Sequence, residues 1–146
     1  MKNALRTFIA SWYLLGWMVH IYLIINSPQL YSVFGSTALI PGYEPFWNTF
    51  IMSNITFWVL LLAVFELCVG LMMIYKGVWV KISLVFSILF NLFLIQMGLG
   101  SETNTFMSDF LSNRLPNLIM VVLQFPLLWG TYTQSIREKI KLKRKI

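Results

Sequence analysis

Apolar residues run through this chain in four long blocks, with none of the strict alternation that marks a half-buried strand. The blocks cover about residues 7–26 (TFIASWYLLGWMVHIYLIIN), 50–75, 79–98 (WVKISLVFSILFNLFLIQMG) and 115–133 (LPNLIMVVLQFPLLWGTYT). Each is close to the ~20 helical residues that cross a hydrocarbon core of ~30 Å. The pattern predicts an all-α membrane protein, a four-helix transmembrane bundle forming one domain over residues 1–146. Pro126 falls inside the fourth block and predicts a kink, which membrane helices tolerate. The basic start MKNALR looks like the opening of a secretion signal. The apolar run behind it is too long, holds Trp and His, and lacks a small-residue cleavage site, so a retained helix is expected.

The connections differ in kind. KGVW, between the second and third blocks, is a tight turn that makes those helices antiparallel neighbours. SETNTFMSDFLSNR, before the fourth block, is polar and carries Glu102 and Asp109. Residues 27–49 are longer, with Pro28, Pro41, Pro45 and a set of aromatics. That segment is too broken to span a bilayer and too apolar for a free loop. It is expected at the outer interface, where Tyr and Trp favour the head-group level; a lid folded back over the bundle is the sharper alternative. Asn113 reads as the cap of the fourth helix and Pro116 as part of its first turn. Arg114 reads as an interfacial anchor or a partner of Asp109.

Charge sets the orientation. Of the eleven Lys and Arg, six lie in the last ten residues, REKIKLKRKI. Lys2, Arg6, Lys76 and Lys81 join them on one side of a four-span arrangement, and Arg114 alone falls on the other. Ten against one predicts both termini in the cytoplasm by the positive-inside rule. The expected location is a bacterial cytoplasmic (inner) membrane, crossed several times. The tail residues Lys141, Lys143, Arg144 and Lys145 are candidates for contact with anionic lipid head groups, at about 1 kcal/mol per charge. The net charge of +6 is thus a matter of topology and lipid, not of nucleic acid.

Charged side chains at bilayer depth are costly and face the bundle interior. Glu66 interrupts FWVLLLAVFELCVGLMMIY, so it needs polar company. Three- and four-residue spacing picks out Thr56, Ala63, Glu66 and Gly70 on the second helix, and Ser83, Ser87 and Asn91 on the third. On the fourth it picks out Asn117, Gln124 and Thr131, and on the first Tyr13, Gly16, Trp17 and His20. Counting rise from the cytoplasmic ends puts Glu66, Ser87 and Gln124 in one layer about 12–14 Å deep. Asn91 and His20 come out at about 18–20 Å. The expected grouping is Glu66–Ser87–Gln124 below and His20–Asn91 above, with a direct Glu66–His20 pair as the alternative should the helix ends shift by several residues. Glu66 then serves either as internal glue, bonded to Gln124 or Ser87, or as a group that carries protons, holds a cation or polarises a ligand.

Other chemistry is absent. No Gly-rich phosphate loop, nucleophile elbow or metal-ligand spacing occurs. Cys68 is the only cysteine and His20 the only histidine, so no intramolecular disulfide, CxxC pair, multi-cysteine metal site or His cluster can form.

Two stretches carry a family resemblance. ELCVGLMMIYKGVWVKISLV (66–85) sets an acidic residue before glycine in the second helix, then a short basic turn and a third helix; RLPNLIMVVL (114–123) opens the fourth with Arg and Asn. In these the chain resembles the DoxX-like membrane proteins, and the matching positions are Glu66, Gly70, Arg114 and Asn117. The resemblance implies a small four-helix bundle with both ends inside. It further implies a subunit of a sulfur-compound oxidising complex that delivers electrons to quinone, or a partner of other membrane proteins. The single cysteine sets an autonomous oxidoreductase aside. The expected function is a non-catalytic accessory or partner-binding subunit of a membrane complex, with no intrinsic cofactor. The alternative is a quinone- or lipid-binding, or proton-handling, component of a membrane oxidoreductase, using Glu66, His20, Ser87, Asn91 and Gln124. A transporter is a weaker reading, since there is no internal repeat and Pro126 is the one mid-helix break.

Overall fold

The computed structural model describes residues 2–143, without the side chains of residue 139 and residues 141–143. The described residues form helices and turns and no strand. The main helices are α1 (Lys2–Asn26), α2 (Ile55–Ile74), α3 (Val78–Met97), α4 (Leu115–Leu128) and the surface helix α5 (Ile136–Lys143). The winding before α2 starts earlier than the apolar pattern suggests. A turn at Tyr43–Phe46, a wide π-type turn at Trp47–Ile51 and a tight 3-10 turn at Met52–Asn54 lead into it without a break. Three helical stretches are long and apolar enough to cross a membrane: Lys2–Asn26, Tyr43–Ile74 and Val78–Met97.

The fourth block departs from expectation at both ends. Its helical path begins at Phe106–Asp109, widens into a π-type turn at Phe110–Arg114, and stops at Leu128 rather than near 133. Pro126 lacks the N–H that would continue the ladder. Gly130 N–H and the Tyr132 hydroxyl then both donate to the Leu127 carbonyl and close the end. Asn113 is not the cap. It is buried inside the π-type turn, where its side chain accepts from the Leu99 and Ser101 amides at 3.0 and 2.9 Å. It also donates to the Ser101 carbonyl and to Asp109, each at 2.8 Å.

The four long helices pack in a ring, α1 on α2, α2 on α3, α3 on α4, with α4 meeting α1 most loosely. Close approach of α1 and α2 depends on glycine, since a Cβ at Gly70 would stand 2.7 Å from Leu14 Cγ. The tightest apolar core lies at the end that holds the N-terminus and includes Ile9, Ala10, Tyr13, Val69, Met73, Val80, Leu84 and Leu127. Phe8, Trp12, Phe57, Leu61, Phe86, Leu89 and Trp129 are exposed on the outside. A helix apolar on its outer as well as its inner face matches a lipid surround, where apolar exposure carries no penalty.

Two arginines fasten the ring at opposite ends. Arg6, fully buried, donates to the Met73 carbonyl at 2.6 Å, to Ile74 at 2.8 Å, to Gln134 at 3.3 Å and to Tyr75. It therefore satisfies the carbonyls that the last turn of α2 leaves free. Arg114 does the same for α3, donating to Ile95 at 2.8 Å and Gln96 at 3.1 Å, while also holding Thr37 and Asp109. The Arg114–Asp109 pair, at 3.0 Å, is one of the two readings the sequence offers, but nothing in the spacing of either arginine announces the carbonyl clamps.

Residues 27–42 fold back across the Arg114 end. Thr37 Oγ1 donates to the Met97 carbonyl at 2.9 Å, the Leu39 amide to Gln96 at 2.9 Å, and Tyr31 is buried. Gly98, with φ 79°, ends α3 in the left-handed region, where only glycine sits without strain, and its missing side chain leaves room for Thr37 and Arg114. Lys76 meets Glu138 at 3.1 Å at the opposite end, tying α5 to the α2–α3 turn.

Candidate functional site

The polar residues of the interior form two clusters, and their membership differs from the expected layers. The first joins α1, α3 and α4. Asn91 Nδ2 donates to Tyr13 Oη at 2.8 Å and to the Ser87 carbonyl at 2.7 Å. The Ser87 hydroxyl lies 2.9 Å from Tyr13 Oη and donates to Gln124 Oε1 at 2.5 Å. Gln124 Nε2 completes the set by donating to the Met120 carbonyl at 3.0 Å. All four side chains are buried. Ser87 and Gln124 do pair, but Glu66 is not with them, and Asn91 joins them through Tyr13 rather than joining His20.

The second cluster is Glu66 and His20. His20 Nε2 stands 3.6 Å from Glu66 Oε2, an ion-pair distance too long for a hydrogen bond. His20 Nδ1 is 2.7 Å from Tyr31 Oη, and the rings of His20 and Tyr31 stack with centroids 6.0 Å apart. One hydrogen bond joins Nδ1 to the Tyr31 hydroxyl, and the other ring nitrogen, Nε2, is the one nearer the carboxylate. Gly16 makes the room: a Cβ there would lie 2.7 Å from Glu66 Oε2.

Depth counting separates Glu66 from His20, and side-chain direction brings them together. Arg6 is level with the carbonyls of residues 73–75, so α1 and α2 run antiparallel. Backbone rise alone would leave the two residues several ångströms apart. Each helical side chain leans toward its own N-terminus. On antiparallel neighbours the two lean toward one another, and the gap closes.

Glu66 and His20 open on an apolar cavity of about 1180 Å³ between the four helices, toward the Arg114 end. Its walls include Trp12, Tyr31, Phe34, Trp47, Trp58, Phe65, Phe90, Phe93, Asn117 and Leu123. Among the described lining residues there is one carboxylate and one histidine, and no Lys or Arg. Three buried polar atoms in the described residues have no hydrogen-bond partner: Glu66 Oε2, Trp58 Nε1 and Asn117 Nδ2. All three belong to side chains that line this cavity. A continuous run of stacked and tilted rings, His20–Tyr31–Phe34–Trp47–Tyr43–Phe46–Phe50–Trp58, bounds its outer rim, with centroids 5.3–6.2 Å apart. Trp47 Nε1 donates to the Tyr31 carbonyl at 2.8 Å and locks that rim.

Of the residues picked by spacing, Thr56 and Thr131 point outward and are exposed, while Ala63, Glu66, Gly70, Ser83, Ser87, Asn91, Asn117 and Gln124 face inward. Sequence reading missed Tyr31 and Trp58, which sit among so many aromatics that no spacing singles them out. Lys141, Lys143, Arg144 and Lys145 lie outside the described side chains. No group of three or more His, Cys, Asp or Glu that could hold a metal occurs among the described residues.

The chain matches no family model, and no curated protein sequence or solved structure is detectably similar to it. None of these comparisons supports the DoxX-like resemblance read from residues 66–85 and 114–123.

Proposed function

We propose that this chain is a multi-pass integral membrane protein that holds a lipophilic ligand with a polar head, acting as a non-catalytic binding component within its membrane. In this reading all four helices cross the bilayer. The short α4 is extended outward by the helical turns from Phe106. Ten of the eleven basic residues stand at one end of the chain's four-span arrangement, which supports both termini in the cytoplasm of a bacterial cell. The DoxX-like resemblance agrees with a partner or accessory role.

One observation carries the reading. Glu66 Oε2, Trp58 Nε1 and Asn117 Nδ2 are buried without partners, on side chains that line a single apolar cavity of about 1180 Å³. An orphaned buried polar atom costs ~1–3 kcal/mol. Three side chains with unmet polar atoms along the wall of one large apolar space fit a pocket that a ligand completes, since ligand sites pair apolar walls with a few placed polar groups. The Tyr13–Ser87–Asn91–Gln124 cluster ties together three of the helices whose other residues line the pocket.

Native mass spectrometry of the full chain, purified gently from its own membrane, tests this. The expected result is a stoichiometric lipophilic adduct, lost in Glu66→Leu. A chain without adduct that arrives with a stoichiometric protein partner would replace this reading with that of an accessory subunit. The Tyr31–His20–Glu66 sequence of contacts favours one second reading, a proton path serving a bound quinone. A quinone in the adduct, with turnover of the parent membrane system abolished by Glu66→Gln, would support it.

A further inference from the structure

The lining of the cavity also bears on the charge of its ligand, and this inference rests on the ligand-holding reading above. Glu66 is the one carboxylate among the described lining residues, and no Lys or Arg lines the cavity with it. Its Oε2 is sealed from solvent; Oε1, which makes no hydrogen bond either, is not, and the side chain keeps 7 % of its surface open. An ionised carboxylate at bilayer depth is costly unless a positive charge offsets it. The chain offers little to do so. Arg6 and Arg114 are committed to the free carbonyls at the ends of α2 and α3. His20 Nε2 comes to 3.6 Å, too far for a hydrogen bond, and its other ring nitrogen is held by Tyr31.

The rest of the wall favours positive charge as well. Tyr31, Phe34, Trp47, Trp58, Phe65 and Phe90 line the cavity. An aromatic ring has a negative face that attracts a cation within about 6 Å of its centre, and the attraction grows where water is excluded. An anionic head would meet Glu66 with no basic side chain to balance it, and a neutral head would leave the carboxylate charge unanswered. A bare metal ion is not suited, since no group of three or more His, Cys, Asp or Glu occurs among the described residues. The positive charge must therefore arrive on an apolar body. On α1 the lining residues Phe8, Trp12, Leu15 and Val19 are exposed too, as is Ile119 across the loose α1–α4 seam, so an apolar ligand reaches the cavity from the bilayer.

We infer that the cavity takes a lipophilic organic cation, a monovalent ammonium or phosphonium surrounded by apolar groups. Its positive centre lies beside Glu66, and its apolar groups lie among the rings of the wall. The volume, about 1180 Å³, exceeds the usual drug-sized range of about 300–1,000 Å³ and so admits a bulky one.

The test uses the full chain in nanodiscs and tritiated tetraphenylphosphonium as the probe. Three competitors share a triphenyl body and differ in charge: methyltriphenylphosphonium is positive, triphenylphosphine oxide neutral and triphenylacetate negative. Saturable binding of the probe is expected, with the neutral and negative compounds competing at least about tenfold more weakly than the positive one. Glu66→Gln keeps the shape and loses the charge, and should lose about tenfold or more in affinity. Glu66→Asp keeps the charge and should retain more of the affinity than Glu66→Gln. The probe should raise the melting temperature of the native chain and not that of Glu66→Gln, which separates lost binding from lost folding. Trp58→Leu should lose about two- to fivefold, and Trp58→Phe, which restores a ring, should recover most of it. Triphenylphosphine oxide competing as well as methyltriphenylphosphonium, with Glu66→Gln unchanged, would overturn the inference in favour of a neutral ligand. Triphenylacetate as the best competitor would overturn it in favour of an anionic one. Either result leaves the ligand-holding reading standing. No saturable binding of the probe overturns the inference by itself, and a native chain that also arrives without an adduct would remove both.

Discussion

The two polar clusters inside this protein are built from the same kinds of residue and end in opposite states. Around Tyr13, Ser87, Asn91 and Gln124 the polar side chains find partners within the bundle, and three helices are pinned together. Around Glu66 and His20 the bonds run out. Glu66 Oε2 has only a 3.6 Å approach from His20, and Trp58 Nε1 and Asn117 Nδ2, on side chains that line the same cavity, are buried without partners. The difference lies in what each cluster has across from it. Ser87 faces Gln124 and Tyr13, whereas Glu66 faces a glycine, a histidine and empty apolar space. Bonds closed internally stabilise the fold, and bonds left open are available to something else.

Breaking the closed cluster should have the largest effect on stability. Asn91→Ala removes two donors, leaves a void, and should cost about 2–3 kcal/mol. A thermal scan in detergent should show it as a fall of several degrees, and a change within 1 °C would mean the cluster is not what pins the helices. Gly16→Ala acts on the open cluster and should come next. Its Cβ, 2.7 Å from Glu66 Oε2, forces the carboxylate to move at about 1–3 kcal/mol. Adduct occupancy should fall more than melting temperature does; equal losses would show that Glu66 is a packing element. Glu66→Gln should cost less than about 1 kcal/mol of stability, because Oε2 makes no hydrogen bond to lose. A fall as large as that of Asn91→Ala would erase the contrast between the clusters.

The smallest effect lies outside both clusters and serves as a control. The Ser135 amide, then Lys76 and the Ser135 hydroxyl, hold the Glu138 carboxyl down at about 2. A lowered folded value means the attachment of α5 is intact above the ordinary carboxylate range, near 4.5, and is lost as pH falls from there toward 2. Asp109 follows the same sign: partial burial raises its carboxyl, but hydrogen bonds from Arg114 and Asn113 and the Arg114 charge outweigh that and leave it lowered. Carboxyl chemical shifts followed by NMR across pH 2–6 should show Glu138 titrating at the bottom of this window, and a midpoint near 4.5 would mean the α5 contacts do not persist in solution.

The apolar blocks were legible because a 20-residue run without charge leaves little alternative to a helix. The inward faces were legible too, since polar residues in such helices have one side to go to. Pairing was not. Rise along an axis gives the depth of a Cα, but a glutamate head group sits several ångströms from its Cα in a direction that neighbour orientation decides. That is why Glu66 was grouped with Ser87 and Gln124 and proved to reach His20. Tyr13 was noted on the inner face of α1, yet its hydroxyl is what assembles the closed cluster, and spacing does not distinguish a bonded tyrosine from a packed one. The end of α4 was misplaced because Pro126 was read as a kink in a longer helix, when Gly130 and Tyr132 stand ready to terminate it.

The Arg6 clamp has a consequence for how the chain is made. A ribosome delivers Arg6 long before it delivers the carbonyls of Met73, Ile74 and Tyr75 that hold it, 67 to 69 residues later. Until then the guanidinium lacks these partners and stays with water and lipid head groups, which keeps the start of α1 at the membrane surface. Only when α2 is complete can the arginine leave that surface. Its bond to the Gln134 carbonyl must come later still, after α4, so one arginine joins the first segment made to the end of α2 and then to the chain beyond α4.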